Sequence, residues 1–212
     1  LMNYTELVAA IQDYTQNEET SFVSNIPTFV RQSEERLNRS IMVPELRKNV
    51  TGLTSNGSVY LARPEDFLSV FSLAVIDSSG DYSFLIDKDV NFIREAYPSA
   101  STSALPKYYA QFDGDYEGEQ GNFILGPTPD DTYTVELHYY YDPASIVTAG
   151  TSWYGDNAES ALLYGSLIEA YTYMKGEADL IQLYTTRYDE ALGQLTGVQI
   201  RSSTDEYRDG RL

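Results

Sequence analysis

Histidine, cysteine and paired carboxylates are the side chains that most often do chemistry, and this chain of 212 residues holds one histidine, no cysteine and 32 acids. The imidazole, His138, lies inside TVELHYYY (134–141), where its neighbours are tyrosines. A general base needs a partner and a cleft, so the residue reads as a packed or surface strand histidine, at most a pH-sensitive contact. Serine–histidine–acid catalysis has only His138 to draw on. No G-x-S-x-G elbow is present, since LYGSLIE around Ser166 has one glycine and sits in a helical stretch. Phosphate-cradling G-x-x-x-x-G-K-[ST] and G-x-G-x-x-G patterns are missing too. Without cysteine there is no thiol nucleophile, no disulfide and no thiolate zinc site.

The acids offer two further chemistries. A carboxylate pair for glycoside hydrolysis needs two acids at a set separation, and 32 of them make chance pairs certain without marking one as special. The sharpest cluster is DGDYEGEQGNFI (113–124), where Asp113, Asp115 and Glu117 alternate ahead of Gly118, as in a calcium-binding EF-hand loop. Ile124 stands where the closing glutamate belongs, and the flanks read as strands. The segment is expected to be a solvated acidic hairpin tip. No catalytic residue, metal ligand or cofactor site is assigned.

The elements around these residues carry more information. The net charge is −18, with 14 bases against 32 acids. Such a chain repels nucleic acid unless its bases cluster. Between residues 31 and 48 there are 5 bases and 3 acids, and the last 12 residues balance Arg201, Arg208 and Arg211 against three acids. Those two segments are the expected contact regions for acidic neighbours. Tyrosine is abundant at 19 residues, a type that suits interfaces and strands alike. No run of 18 apolar residues predicts a membrane span, and the acidic start of the chain is unlike a signal peptide.

Asn3 with Glu6 three residues on predicts a capped first helix with Tyr4, Leu7, Val8, Ile11 and Tyr14 on one face. A second helix is expected from about Asn25 with Pro27 in its first turn, burying Ile26, Phe29, Val30, Ser33, Leu37 and Ile41. From Leu46 to Pro143 short apolar runs alternate with turn residues. SNGS (55–58) predicts a hairpin between VTGL and VYLA, FLSVFSLAVI (67–76) a strand, and DVNFIREAYP (89–98) a short helix. KYYAQFD (107–113), NFILG (122–126) and TYTVELHYYY (132–141) read as strands of an antiparallel sheet. Asp156 with Glu159 predicts a helix start, a break is expected near Gly176, and a last helix stops at Gly197. The fold class is α+β: terminal helices (2–42 and 151–197) packed together as a bundle, a mostly antiparallel β region (43–150) inserted between them, and an extended tail (198–212).

In its segment order the chain resembles the head-to-tail adaptor, or head-completion, proteins of short-tailed bacteriophages. The resemblance runs through IPTFVRQSEERLNRSI (26–41), LARPEDFLSVFSLAV (61–75), NFIREAYP (91–98) and LPKYYAQFD (105–113). It continues through FILGPTPDDTYTVELHYYYDPASI (123–146) and is densest in TSWYGDNAESALLYGSLIEAYTYMKGE (151–177). It implies a structural subunit of the virion neck, assembled in the host cytoplasm, with no cofactor and no catalysis. It also implies a ring of this chain, commonly a dodecamer, beneath the portal protein. A downstream tail or nozzle protein docks on the other side, and DNA passes through the channel without specific binding. The C-terminal end would grip the portal, assigning Gln199, Arg201, Tyr207, Arg208, Arg211 and Leu212 to that contact. Arg31, Arg36 and Arg39 become candidates for the interface between subunits. The competing expectations are another tail or receptor-binding virion subunit, an acidic hydrolase, or a calcium-dependent lectin using the 113–124 loop.

Overall fold

The computed structural model describes residues 1–99, 101–112 and 121–209. The chain begins with α1 (Tyr4–Thr15) and α2 (Thr20–Ser40). A β region follows, with β1 (Arg47–Leu53), β2 (Tyr60–Ala62), β3 (Phe67–Ile76), β4 (Tyr82–Phe84) and β5 (Ile86–Asp87). After α3 (Val90–Ala96) come β6 (Tyr108–Gln111), β7 (Asn122–Gly126) and β8 (Thr134–Tyr141). The chain then returns to helices: α4 (Ile146–Ala149), α5 (Trp153–Asn157), α6 (Glu159–Tyr173) and α7 (Ala178–Asp209). Two compact units result, a helical one of residues 1–45 and 143–212 and a β one of residues 46–142. The protein is α+β with its terminal helices packed together.

In the helical unit α6 is covered on nearly every side. Ala161, Leu162, Leu163, Gly165, Ser166, Leu167, Ile168 and Ala170 are all buried, so the helix has no polar face to turn outward. Helices α1, α2, α5 and α7 pack around it. α1 starts on the predicted capping box: Asn3 Oδ1 accepts from Glu6 N at 3.0 Å, and Asn3 N donates to Glu6 Oε2 at 2.9 Å. In α2 the predicted stripe is buried, with Phe22 extending it backwards by one turn.

That extension corrects the expected start of α2. The helix begins at Thr20, five residues before Asn25, and Pro27 lies inside it. Proline removes one helical hydrogen bond at a substantial cost. Burial of Phe22 against Phe29 and Tyr173, at ring separations of 5.7 and 6.3 Å, holds the extra turn in place. The start expected at Asp156 is corrected as well. Asp156 lies within α5, which Ser152 caps through Gly155 N at 3.2 Å, while α6 starts separately after Ala158.

Gly165 sets the distance between α2 and α6. A Cβ on it would fall 2.2 Å from Ser33 Oγ, 3.2 Å from Ser33 Cβ and 3.2 Å from Tyr188 Cε2 of α7. Ser33 Oγ donates to Leu162 O at 3.1 Å, and Ser166 Oγ donates to the same carbonyl at 2.8 Å. One glycine thus lets three helices meet. Glu34, 6% exposed, ties α2 to the start of α4: its Oε1 accepts from Ile146 N at 2.8 Å and its Oε2 from Ser145 Oγ at 2.6 Å. A carboxylate at a helix start satisfies orphan donors there.

The β unit is a sandwich. One sheet has the order β1-β8-β3-β4 and the other β2-β7-β6-β5. Every pairing is antiparallel except β5 with β6. Leu73, Val75, Val135, Leu137 and Tyr139 from the first sheet meet Leu61, Tyr109, Phe123 and Leu125 from the second. Helix α3, predicted as a short helix and capped by Asp89, covers the second sheet's other face through Ile93, which packs on Ala110 and Ile124.

Two expectations for this region are corrected. SNGS does turn, with Ser58 N donating to Ser55 O at 3.0 Å and Gly57 at φ +77°. The strands it joins part company, however: β1 pairs with β8 and β2 with β7, so the turn links two sheets and closes no hairpin. Likewise β6, β7 and β8 do not form one sheet, because β8 enters the first sheet between β1 and β3. At the other end of the molecule's sequence, α7 passes through Gly197 and runs to Asp209, where an extended tail was expected. An isolated glycine costs a helix only about 1 kcal/mol, too little to end one that is already propagating.

Replacing Gly165 by alanine is expected to lower stability by about 1–3 kcal/mol through overpacking. Denaturant unfolding measures it, and adding Ser33→Ala should recover part of the loss, because Ser166 still serves the Leu162 carbonyl.

Candidate interaction surfaces

Among the described residues no group of three or more histidine, cysteine, aspartate or glutamate side chains is arranged to hold a metal ion. His138 sits on β8 with Nδ1 3.2 Å from Ser72 Oγ and Nε2 3.9 Å from Glu136 Oε1. Its side chain is 41% exposed on an open sheet face, not at the bottom of a cleft. A groove of about 620 Å³ in the helical unit is lined by Trp153, Asp156, Glu159 and Leu195 among others, with no histidine, lysine or arginine among the described lining residues. Residues 113–120 of the EF-hand-like segment lie outside the described residues.

The first candidate surface is the charged side of α2. Arg31 is exposed, and its charge draws down the Tyr4 hydroxyl pKa, which burial more than restores to above its ordinary value. Arg39 is exposed and pairs with Glu35 one turn earlier. Arg36 differs from both. It hydrogen-bonds Glu169 of α6, and its guanidinium lies 5.7 Å from the Tyr188 ring centroid. Of the three arginines singled out in the sequence, Arg31 and Arg39 face solvent and Arg36 is engaged between α2, α6 and α7.

The second is the C-terminal end. Gln199, Arg201, Tyr207 and Arg208 fall on the last three turns of α7, and Arg211 and Leu212 lie outside the described residues. Earlier in α7, Tyr184 and Tyr188 are buried at 9% and 4% exposure. Tyr184 sits among Tyr14, Tyr164 and Tyr171, with ring centroids 6.3, 6.3 and 5.1 Å away. Burial, then the hydrogen bond with Tyr171, push the Tyr184 hydroxyl up to about 12. Several of the tyrosines that composition offered to interfaces therefore serve as internal packing.

The third surface was not legible in the sequence: the outer face and edges of the first sheet. β3 carries register shifts between Phe67 and Ser69 and between Val70 and Ser72. The extra residues, Leu68 and Phe71, are turned out at 38% and 54% exposure. Arg47 stacks on this face, 4.4 Å from the Phe71 ring centroid and 5.4 Å from that of Tyr140, and its Nε donates to Tyr140 Oη at 3.1 Å. Tyr82 and Phe84 of β4 add further exposed rings, stacked 6.4 Å apart. Simple alternation hides this, because a bulge reverses which residues face outward.

Asp66 anchors the base of the face. It accepts from Lys48 Nζ at 2.5 Å and from Tyr139 Oη at 2.7 Å. Burial works to raise its pKa, but the two hydrogen bonds and the lysine charge together hold it below the usual value. Burial and the bond to Asp66 push the Tyr139 hydroxyl up in turn.

Against known proteins, the family model of the SU10 adaptor protein matches residues 2–211. A match over nearly the whole chain makes it a member of the SU10 adaptor protein family, a class of structural adaptors. It is a bacteriophage head-to-tail adaptor, the family its segment order resembles. A search of the curated proteins gave no match. No helix among the described residues is long and apolar enough to cross a membrane.

The Asp66 site gives a pH-dependent expectation. A carboxylate whose folded pKa is depressed contributes stability above its unfolded pKa of about 3.9, and the contribution is lost as pH falls through the folded value. Asp66→Asn should therefore unfold more readily than the natural chain at pH 7, with the gap closing below about pH 3. Thermal unfolding across that range checks it.

Proposed function

We propose that the chain forms a ring in the phage neck, seated beneath the portal protein, with a downstream tail or nozzle protein on its other side. The observation that carries this reading is the match to an adaptor family across residues 2–211. Twelve copies would match a twelve-fold portal. The protein assembles in the host cytoplasm and remains in the virion at the junction of capsid and tail. Its role is mechanical, with no chemical step and no cofactor.

The residues support particular parts for particular segments. α7 has 32 residues, more than twice the 15 of α6, and at 1.5 Å per residue spans about 48 Å. Its last turns carry Gln199, Arg201, Tyr207 and Arg208, which with Arg211 and Leu212 form the portal contact in this reading. Arg31 and Arg39 meet the acidic surface of a neighbouring copy, a heterologous contact repeated around the ring. Arg36 supports the same helix from within its own chain. A net charge of −18 keeps passing DNA from adhering, since phosphates find few cations to displace their counterions.

Electron microscopy of the protein mixed with its portal tests the reading. The full chain should add a ring layer, and a chain ending at Gly197 should not; a full chain that leaves the portal unchanged overturns the adaptor position. Exchanging Arg31 and Arg39 for glutamate should weaken ring formation without lowering the melting temperature of the single subunit. Arg36→Glu should instead destabilise the subunit, because it faces Glu169. Sedimentation and thermal unfolding separate the two effects.

A further inference from the structure

We propose that neighbouring copies in the ring join their β units edge to edge, β1 of one copy lying along the Tyr82–Asp87 segment of the next. The inference rests on the ring proposed above and specifies a surface that reading leaves open. A sheet edge is a row of unpaired backbone donors and acceptors, a ready template for another strand. β1 is such an edge. It is seven residues long, Lys48 to Leu53 are all exposed, and β8 is its only strand partner among the described residues.

The same side of the sandwich is open between the sheets. A slot of about 180 Å³ lies between β1 and β2, with Val50 and Gly52 on one wall and Leu61 on the other. Phe123, Val135 and Leu137 of the core lie at its base. Gly52 contributes no side chain to fill it. Arg63 lines it as well, so this side of the sandwich is an opening with one charged side chain on its wall.

The opposite side of the sandwich carries the complement. There the chain passes from β4 in one sheet through Leu85 to β5 in the other, so that both sheets end on one continuous segment. Leu85 is buried, while Tyr82, Phe84 and Ile86 are 53%, 66% and 56% exposed. Three large apolar side chains on an outer edge are what a solitary subunit would avoid. Charge selects the pairing as well. Residues 47–53 hold two bases and no acid, whereas residues 81–87 hold two acids and no base. Lys48, although bound to Asp66, keeps 46% of its side chain exposed. Each edge opposes its own kind and suits the other.

Because the two edges differ and lie on opposite sides of the unit, their union is heterologous, the kind of contact that closes into a ring by rotation. Main-chain hydrogen bonds along β1 supply the affinity, and Tyr82 and Phe84, opposite Ile76 and Ala74, lie on the first sheet's outer face and extend the joint there.

The chain has no cysteine, so introduced thiols are unique. The test uses the Thr51→Cys, Ser83→Cys double variant assembled on its portal, with ring formation checked by electron microscopy before a short bis-maleimide is added. Covalent oligomers extending beyond the dimer are expected from the double variant and not from either single variant. Adding Phe84→Asp should cut the linked fraction about tenfold, since the joint would bury the exposed apolar surface that this exchange removes. A normal ring without the ladder overturns the edge pairing and leaves the ring standing. Linkage of Thr51→Cys alone to itself, or to portal or tail protein, overturns it also, assigning β1 to a different occupant. Absence of any ring fails the parent reading, and the edge pairing falls with it.

Discussion

The helical unit depends on one constraint: α6 has no face it can leave in water. Apolar or small residues surround its whole circumference, so the segments on every side of it must come from elsewhere in the chain. They come from both ends of the sequence. α1 and α2 arrive from the first 40 residues and α7 from beyond residue 178, while the β unit occupies the interval between. The β unit is therefore inserted in sequence between the two halves of the helical unit. Gly165 is the tightest expression of this constraint. It is the point where α2 and α7 both reach α6, and the space for one methyl group is already taken by Ser33 and Tyr188.

Membership of an adaptor family gives the two units a shared context without requiring chemistry from either. The side chains that elsewhere would raise suspicion of catalysis are spent on structure. Glu34 is a buried acid that caps a helix, and Arg36 is a half-buried base that joins three. His138 is a strand residue beside a serine and a glutamate. The raised tyrosine hydroxyls have ordinary causes, burial foremost at Tyr109 and Tyr184, both pushed to about 12, and a carboxylate partner at Tyr133. The perturbed titration of these tyrosines follows from burial and neighbouring carboxylates.

Much of the helical unit was legible because its signals are local and periodic. The Asn3–Glu6 box and the α2 stripe are each decided by residues three or four positions apart. What was illegible depends on partners far away. The start of α2 moved back to Thr20 because Tyr173, some 150 positions on, covers Phe22. SNGS has every residue a hairpin turn asks for, yet whether its strands pair with each other or with separate sheets is settled by β7 and β8. Gly197 is the usual stop residue and did not stop α7. The interaction surfaces divide in the same way. Charge clustering located α2 and the C-terminal end, whereas the exposed rings at Phe71 and Phe84 follow from bulges and an edge crossing that no alternation pattern encodes.

The tie between Glu34 and residues 145–146 has a consequence for how the protein is made. Synthesis delivers α1 and α2 first, but their covering helix α6 and the groups that satisfy Glu34 lie more than 110 positions later. The β unit, by contrast, holds all its strands between residues 47 and 141 and is complete before α6 leaves the ribosome. On the nascent chain the middle of the protein can thus mature while its beginning waits, amphipathic and unpaired, for its end. The N-terminal helices are consequently the stretch in greatest need of a holding chaperone during translation, a burden set by topology and not by any weakness in their own sequence.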